Sequence, residues 1–515
     1  MSQPPVPPAV PPAAVPTGPA AEPVPAATTP PADTERLGGK AVRGAAWLSA
    51  GQLARQAFSF GTSLVLARLL VPDDFGLFGM TYVAAEIAQV FISFGLGAAI
   101  VQRRVSAPDV LTTCFWFNVV IGLAAGLGLA LSGPWLAAYY GRPEVQQLVW
   151  PLSVNMLVAG AMVVPQAILT QQLRFRDMAV AQIVGSVLAA VGALALAWAG
   201  VGVWALAAQP LIGNLLTGAW MMRSSRWLPG LQPALRHLEG LFSLSANLLA
   251  SNLVTTVGRN LHTFVIGRYL GAATLGAFGI ASGLTGTVLF QITSVITRVL
   301  FPTLSQLKDD RARLASAWLT ANAAVGLTTI PIMAGAAAMA PDVVRVLFGP
   351  QWGEAVEVLP ILCVAMAVQS PLMSTGTVLL TYGRGDLLLR TSLVTAVLSG
   401  LGYWIGTATG GLAGAGWGYL AVTVVTHAWM AQLACKEAGL PLRQLLMPLL
   451  VPTLCSAGMA AIMMASARAM PELAPLARLL VCVLIGALSY LGLLMLTARR
   501  STLKLLQDVL RQVKR

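Results

Sequence analysis

The chain has 515 residues, of which 57% are hydrophobic and only 10% charged, with a formal net charge of +13. A soluble protein carries about 25% charged residues, so this composition excludes an ordinary water-soluble domain and places most of the chain in lipid. The basic surplus does not point to nucleic acid, because most Lys and Arg fall in short gaps between apolar runs, where membrane topology puts them.

In chain order, Pro and Ala dominate the first 33 residues, and 1–35 reads as a disordered, partly polyproline tail. It lacks a basic n-region followed by an apolar h-region, so it is not a signal peptide. Apolar runs of about 20 residues, enough to span a bilayer, follow near 44–70, 75–100, 110–133, 145–170, 179–199 and 203–222. A polar linker occupies 223–240. Six more runs fall near 241–267, 275–300, 316–338, 357–380, 387–408 and 412–434, and two last runs near 445–467 and 475–497.

The expected fold is an all-α polytopic membrane protein of about 14 transmembrane helices. It divides into an N-lobe (36–222), a C-lobe (241–434), two extra helices (435–498) and an amphipathic basic helix (499–515). In that last segment Leu503, Leu506, Leu510 and Val513 recur at helical spacing.

Charge orients these spans. With a cytoplasmic N-terminus, 23 of the 32 basic residues fall on the cytoplasmic side, the C-terminal tail included, and only Arg142, Arg345, Arg468 and Arg478 on the other. That bias predicts a multi-pass membrane protein with both termini cytoplasmic.

The two lobes are copies. Residues 65–80 (VLARLLVPDDFGLFGM) match 265–280 (VIGRYLGAATLGAFGI) without a gap, with Val, Arg, Leu, Gly, Phe and Gly identical at 65, 68, 70, 76, 78 and 79. Further on, Pro151 and Asp177 match Pro360 and Asp386 at an offset of 209. Six spans per lobe start both copies on the same side, which predicts a pseudo-two-fold axis along the membrane normal and a substrate site between the lobes. The glycine pairs Gly122/Gly126 and Gly402/Gly406 read as close helix packing.

No catalytic signature is present: no GxxxxGK[ST], HExxH, GxSxG or DxDxxG. Cys114, Cys363, Cys435, Cys455 and Cys482 lie in or beside apolar runs with no metal-like spacing. With only three histidines as well, the expectation is a carrier that is not an enzyme and holds no cofactor or metal.

Charge inside the spans is the informative signal. Arg55, Arg68, Arg259, Arg268 and Arg298 fall within predicted helices, where burial near the bilayer centre costs roughly 2.5–3.5 kcal/mol. The functional reading is a cationic cavity whose arginine forks grip phosphate oxygens. Arg55 and Arg259, near mid-span, favour it; Arg68, Arg268 and Arg298 sit close to helix ends, where snorkelling to an interface is an equal alternative. Glu86 is the one acidic residue well inside a span, available for ion coupling or for a structural pair with Arg55. Gln52, Gln56 and Ser59 form a polar stripe on the first helix, and Asn252, Thr256 and Asn260 another on the seventh, with His262 beyond. These stripes suit a water-filled path, and interhelical hydrogen bonding needs such residues too.

The stretch 44–104, above all LARLLVPDDFGLFG (66–79), resembles the opening of Wzx-type polysaccharide flippases of the multidrug/oligosaccharidyl-lipid/polysaccharide exporter superfamily. The similarity extends over about 44–497. The resemblance implies a two-lobed bundle working by alternating access. It also implies a lipid-linked oligosaccharide cargo, carried on undecaprenyl pyrophosphate to the outer leaflet for exopolysaccharide, capsule or O-antigen assembly. Membrane lipids and polysaccharide polymerase and co-polymerase proteins are the implied partners. Two alternatives stand beside it: a cation-coupled exporter of small amphiphiles from the same superfamily, using Glu86, and a membrane scaffold docking through its tails.

Overall fold

A computed structural model of the protein describes residues 51–52, 54–92, 96–102, 107–232, 245–287, 289 and 310–514. Arg298, the proline-rich tail and part of the 223–240 linker lie outside the described residues.

The described chain is helical throughout. The first repeat comprises α1 (54–69), α2 (Pro72–Ile92), α3 (Leu96–Gln102), α4 (Pro108–Tyr140), α5 (Glu144–Gln171), α6 (Phe175–Trp198) and α7 (Trp204–Ser225). The second comprises α8 (Ser245–Tyr269), α9 (272–287), α10 (Arg311–Ala338), α11 (Ala340–Leu347), α12 (Gly353–Leu372), α13 (Thr375–Thr381) and α14 (Gly385–Ala438). Two more helices follow, α15 (Leu442–Ala469) and α16 (Pro475–Lys514). Among the described residues nine helices are long and apolar enough to span a membrane. One of them, α14, is two spans joined at Gly410–Gly411, where the backbone leaves the helical region. Adding α1, α7, α8 and α9 accounts for the expected spans.

Local chemistry sets the helix ends. Pro72 and Pro108 open α2 and α4, where a missing N–H costs nothing. Gly141 and Gly439 close α4 and α14 in the left-handed region, at φ 69° and 70°. Among the described residues one predicted span is interrupted. The 357–380 run divides at Met373–Ser374, just after Pro371, which lacks the N–H that would continue the ladder. At the C-terminus α16 continues with no break near 498 into the segment expected as a separate amphipathic helix.

Close packing uses the predicted glycines. Gly122 and Gly126 seat α4 against the backbone of Met156 and Ser153 on α5, and Gly402 and Gly406 seat the first arm of α14 against Gly418 and Gly414 of its second arm. A Cβ at any of these four would press on main-chain atoms.

The repeat motif itself forms the contact between lobes. Gly76 of α2 lies on the backbone of Ala272, and its mate Gly276 of α9 lies on the backbone of Pro72. Residues 72 and 272, like 76 and 276, are repeat mates at offset 200. The contact is therefore reciprocal, as a two-fold axis requires. The largest buried apolar cluster continues from this contact, joining Leu77, Met80 and Leu152 of the first lobe to Ile266, Phe278, Val344 and Trp352 of the second. One end of the bundle, carrying the α1–α2, α4–α5 and α8–α9 turns, is thereby closed.

Candidate functional site

Away from that closed end a cavity of about 1420 Å³ opens among α1, α2, α3, α5, α6, α7 and α8. It exceeds the roughly 300–1,000 Å³ of pockets for drug-sized ligands. Each wall follows one helical face. On α1, Arg55, Gln56 and Ser59 face it; on α2, Phe78, Tyr82, Glu86 and Gln89; on α8, Thr256 and Arg259. Their spacings of three and four keep each set on one stripe.

The charged residues in this lining are Arg55, Arg259 and Glu86, for a formal net charge of +1. Glu86 lies 3.7 Å from Arg259 and accepts a hydrogen bond from Asn260 Nδ2 at 2.7 Å. Sequence spacing offered Arg55 as the partner of Glu86; the structure pairs it with Arg259, because α2 packs against α8. The Arg259 side chain remains 69% exposed, so the pair is weak, worth about 0–1 kcal/mol, and the guanidinium keeps donors for another anion. Arg55 is exposed and has no ion-pair or hydrogen-bond partner among the described residues.

The other expected residues divide between the cavity wall and elsewhere. Gln56, Ser59 and Thr256 line the wall, and Asn260 acts on it through Glu86. Gln52 and Asn252 are outside the lining. His262 is packed away from it, its ring 5.1 Å from Phe278 and 5.7 Å from Tyr403, within the second lobe.

Arg68 and Arg268 belong to the closed end. The Arg68 guanidinium donates to the carbonyls of Leu347, at 3.3 Å, and Val346. It thus caps the C-terminus of α11, where cations are favoured. Beside it the Ala67 carbonyl accepts from Gln351 Nε2 and Trp352 Nε1, both at 2.8 Å, and Phe75 meets Trp352 edge-on at 5.2 Å. Arg268, exposed, stands within electrostatic reach of Tyr139, whose hydroxyl donates to the Phe264 carbonyl at 3.3 Å. Arg68 thus makes a cross-lobe contact, Arg268 stands near another, and neither lines the cavity.

Sequence reasoning missed the far wall. Asn155 and Gln166 of α5, Gln182 of α6, and Gln209 and Asn214 of α7 all line the cavity. Gln182 is the single amide of α6, and Gln209 and Asn214 are the two amides of α7. The penalty that singled out the arginines applies to isolated amides in apolar spans as well. Read that way, it would have found them.

Comparison with known proteins agrees with this architecture. The chain is 28% identical over 471 residues to the teichuronic acid biosynthesis protein TuaB of Bacillus subtilis (strain 168), covering 90% of this chain and 97% of that protein. It is 28% identical over 391 residues to the succinoglycan biosynthesis transport protein ExoT of Rhizobium meliloti (strain 1021), covering 75% and 79%. Its fold matches the lipid II flippase MurJ in an inward closed conformation, with a TM-score of 0.73 at 14% identity, over 88% of this chain and 98% of that one. An inward-facing multidrug resistance MATE family transporter of the MOP superfamily matches with a TM-score of 0.57 at 16% identity, over 74% and 95%. Residues 65–357, more than half of the chain, match the family of polysaccharide biosynthesis proteins, and this multi-pass membrane protein belongs to that family.

Proposed function

We propose that the protein is a flippase for lipid-linked oligosaccharide units in polysaccharide assembly, with undecaprenyl pyrophosphate as the carrier lipid. The observation that carries this reading is the cavity: large, inside the bundle, and lined by two arginines against one carboxylate. A pyrophosphate would be held by Arg55 and Arg259 through charge-assisted hydrogen bonds. The lipid tail would remain in the bilayer while the glycan crosses in the polar interior. Family membership and the flippase-like fold support the same class.

In this reading the N-terminus is cytoplasmic, the closed end faces outward, and the cavity takes its cargo from the cytoplasmic side. The lobes then exchange this arrangement for one open outward. Polymerase proteins receive the unit beyond the membrane.

The test is the Arg55→Ala/Arg259→Ala double variant. Membrane insertion should match the wild type, polymer export should stop, and lipid-linked intermediates should build up in the cytoplasmic leaflet. Normal export from this variant would sink the assignment.

A further inference from the structure

Charge is confined to one side of the cavity. All three charged side chains come from α1, α2 and α8. The wall built by α5, α6 and α7 carries none, yet contributes five amides: Asn155, Gln166, Gln182, Gln209 and Asn214. We propose that this amide wall is a glycan-reading subsite, separate from the arginines, that recognises the hydroxyls of the sugars on the carrier lipid. The proposal rests on the flippase reading above.

Three observations support it. First, three of the five amides are unsatisfied and the other two are only partly satisfied. Among the described residues the side chains of Gln166, Gln182 and Gln209 make no hydrogen bond, and Asn214 Nδ2 donates to Asn155 Oδ1 at 2.9 Å, leaving Asn155 Nδ2 and Asn214 Oδ1 unused. An amide that served only to join helices would find its partner on the neighbouring helix.

Second, the amides are spread through the depth of the membrane. Asn155 and Gln166 lie eleven residues apart on α5, about 16 Å at 1.5 Å per residue. Gln209 and Asn214 are separated by a further turn and a half on α7. A small ligand needs one cluster; a chain of sugar rings needs contacts at successive levels. A carboxamide offers a donor and an acceptor side by side, which suits paired hydroxyls and adds no charge.

Third, the feature is confined to one lobe. At the offset of 209 the second repeat has Val364, Thr375, Thr391, Gly418 and Thr423 in place of the five amides. The same offset pairs Gly202 with Gly411 at corresponding helix junctions, with φ 64° and 59°, so the register holds there. Packing shared by both lobes therefore does not demand the amides. An asymmetric cargo, anionic at one end and polyhydroxylated at the other, gives them a purpose.

The experiment uses full-length protein in lipid nanodiscs and two probes. One is undecaprenyl pyrophosphate; the other is the lipid-linked oligosaccharide extracted from a host strain lacking this gene. Binding is measured for wild type, Arg55→Gln/Arg259→Gln, and Gln166→Met/Gln182→Met/Gln209→Met. Methionine keeps side-chain length and removes the hydrogen bonds.

The glutamine variant is expected to lose about tenfold or more in affinity for the oligosaccharide probe, from three hydrogen bonds, and to bind undecaprenyl pyrophosphate as wild type does. The arginine variant should lose both probes. A Gln182→Met single variant, with an intermediate loss on the oligosaccharide probe alone, guards against misfolding of the triple. Equal affinity of the triple variant and wild type for the oligosaccharide, or equal losses on both probes, overturns the subsite and leaves the flippase reading standing. Failure of wild type to bind either probe overturns that reading and the subsite together.

Discussion

Glu86 is the residue on which the competing functions diverge. Its carboxylate is the one negative charge in the cavity lining, held by Asn260 at 2.7 Å and facing Arg259 at 3.7 Å. In a flippase for an anionic headgroup it tempers the cavity and orients Arg259. Glu86→Gln should then preserve export and tighten undecaprenyl pyrophosphate binding by up to about fivefold, the equivalent of an exposed ion pair. In a cation-coupled exporter the carboxylate is the coupling group, and the same change should abolish efflux. Polymer export and drug efflux, measured in one strain carrying the variant, separate the two. At this scale the sequence was legible where cost is high and local: an arginine at mid-span is conspicuous in any apolar run. It was illegible where the role depends on a distant partner. Arg68 finds its acceptors at Val346 and Leu347, nearly 280 residues away, and Glu86 found Arg259 rather than Arg55 for the same reason. The five amides fell between these cases, because each alone reads equally as a helix-joining hydrogen bond.

Helix existence followed from hydropathy, and interruptions did not. A long apolar run signals burial in lipid whether or not its backbone stays helical, so hydropathy alone does not announce a break inside the 357–380 run. Pro371 was the single mark of the break between α12 and α13. The α14 kink was more visible, since Gly410 and Gly411 stand in the gap between the predicted spans 387–408 and 412–434, and its geometry makes a sharp prediction. Gly411 has φ 59° and ψ −137°, a region that a side chain enters only under strain, whereas Gly410 has φ −143°. Neither would bring a Cβ within 4 Å of another group, so space plays no part in the comparison. Gly411→Ala should cost about 1–3 kcal/mol, read as a lowered unfolding temperature in detergent. Gly410→Ala should leave that temperature close to wild type. Equal shifts for the two would mean that the turn tolerates either backbone conformation.

At the scale of the whole molecule the duplication predicted two lobes, and the reciprocal seating of Gly76 on Ala272 and Gly276 on Pro72 gives that symmetry a physical location. What the duplication hid is how unequally the lobes contribute to the cavity. Thr256 and Arg259 are the second repeat's share of its lining. Symmetry builds the closure, and departures from symmetry build the site. If the lobes rock about this contact, the closed end must part in every cycle. Arg68 on α11, Ala67 beneath Gln351 and Trp352, and Tyr139 on Phe264 are the bonds that must then break. Each is a modest hydrogen bond, worth about 0.5–1.5 kcal/mol net, so the set can hold one state without trapping it. Bridging an Arg68→Cys/Leu347→Cys pair with a short thiol-reactive crosslinker should therefore arrest export, and reduction of a cleavable linker should restore it. The uncrosslinked double variant provides the baseline, since it has already lost the Arg68 contact. The five native cysteines are buried, which favours reaction at the introduced pair. Undiminished export with the bridge intact would show that this end does not open, and the cargo would then have to leave by a route that keeps α1 and α11 together.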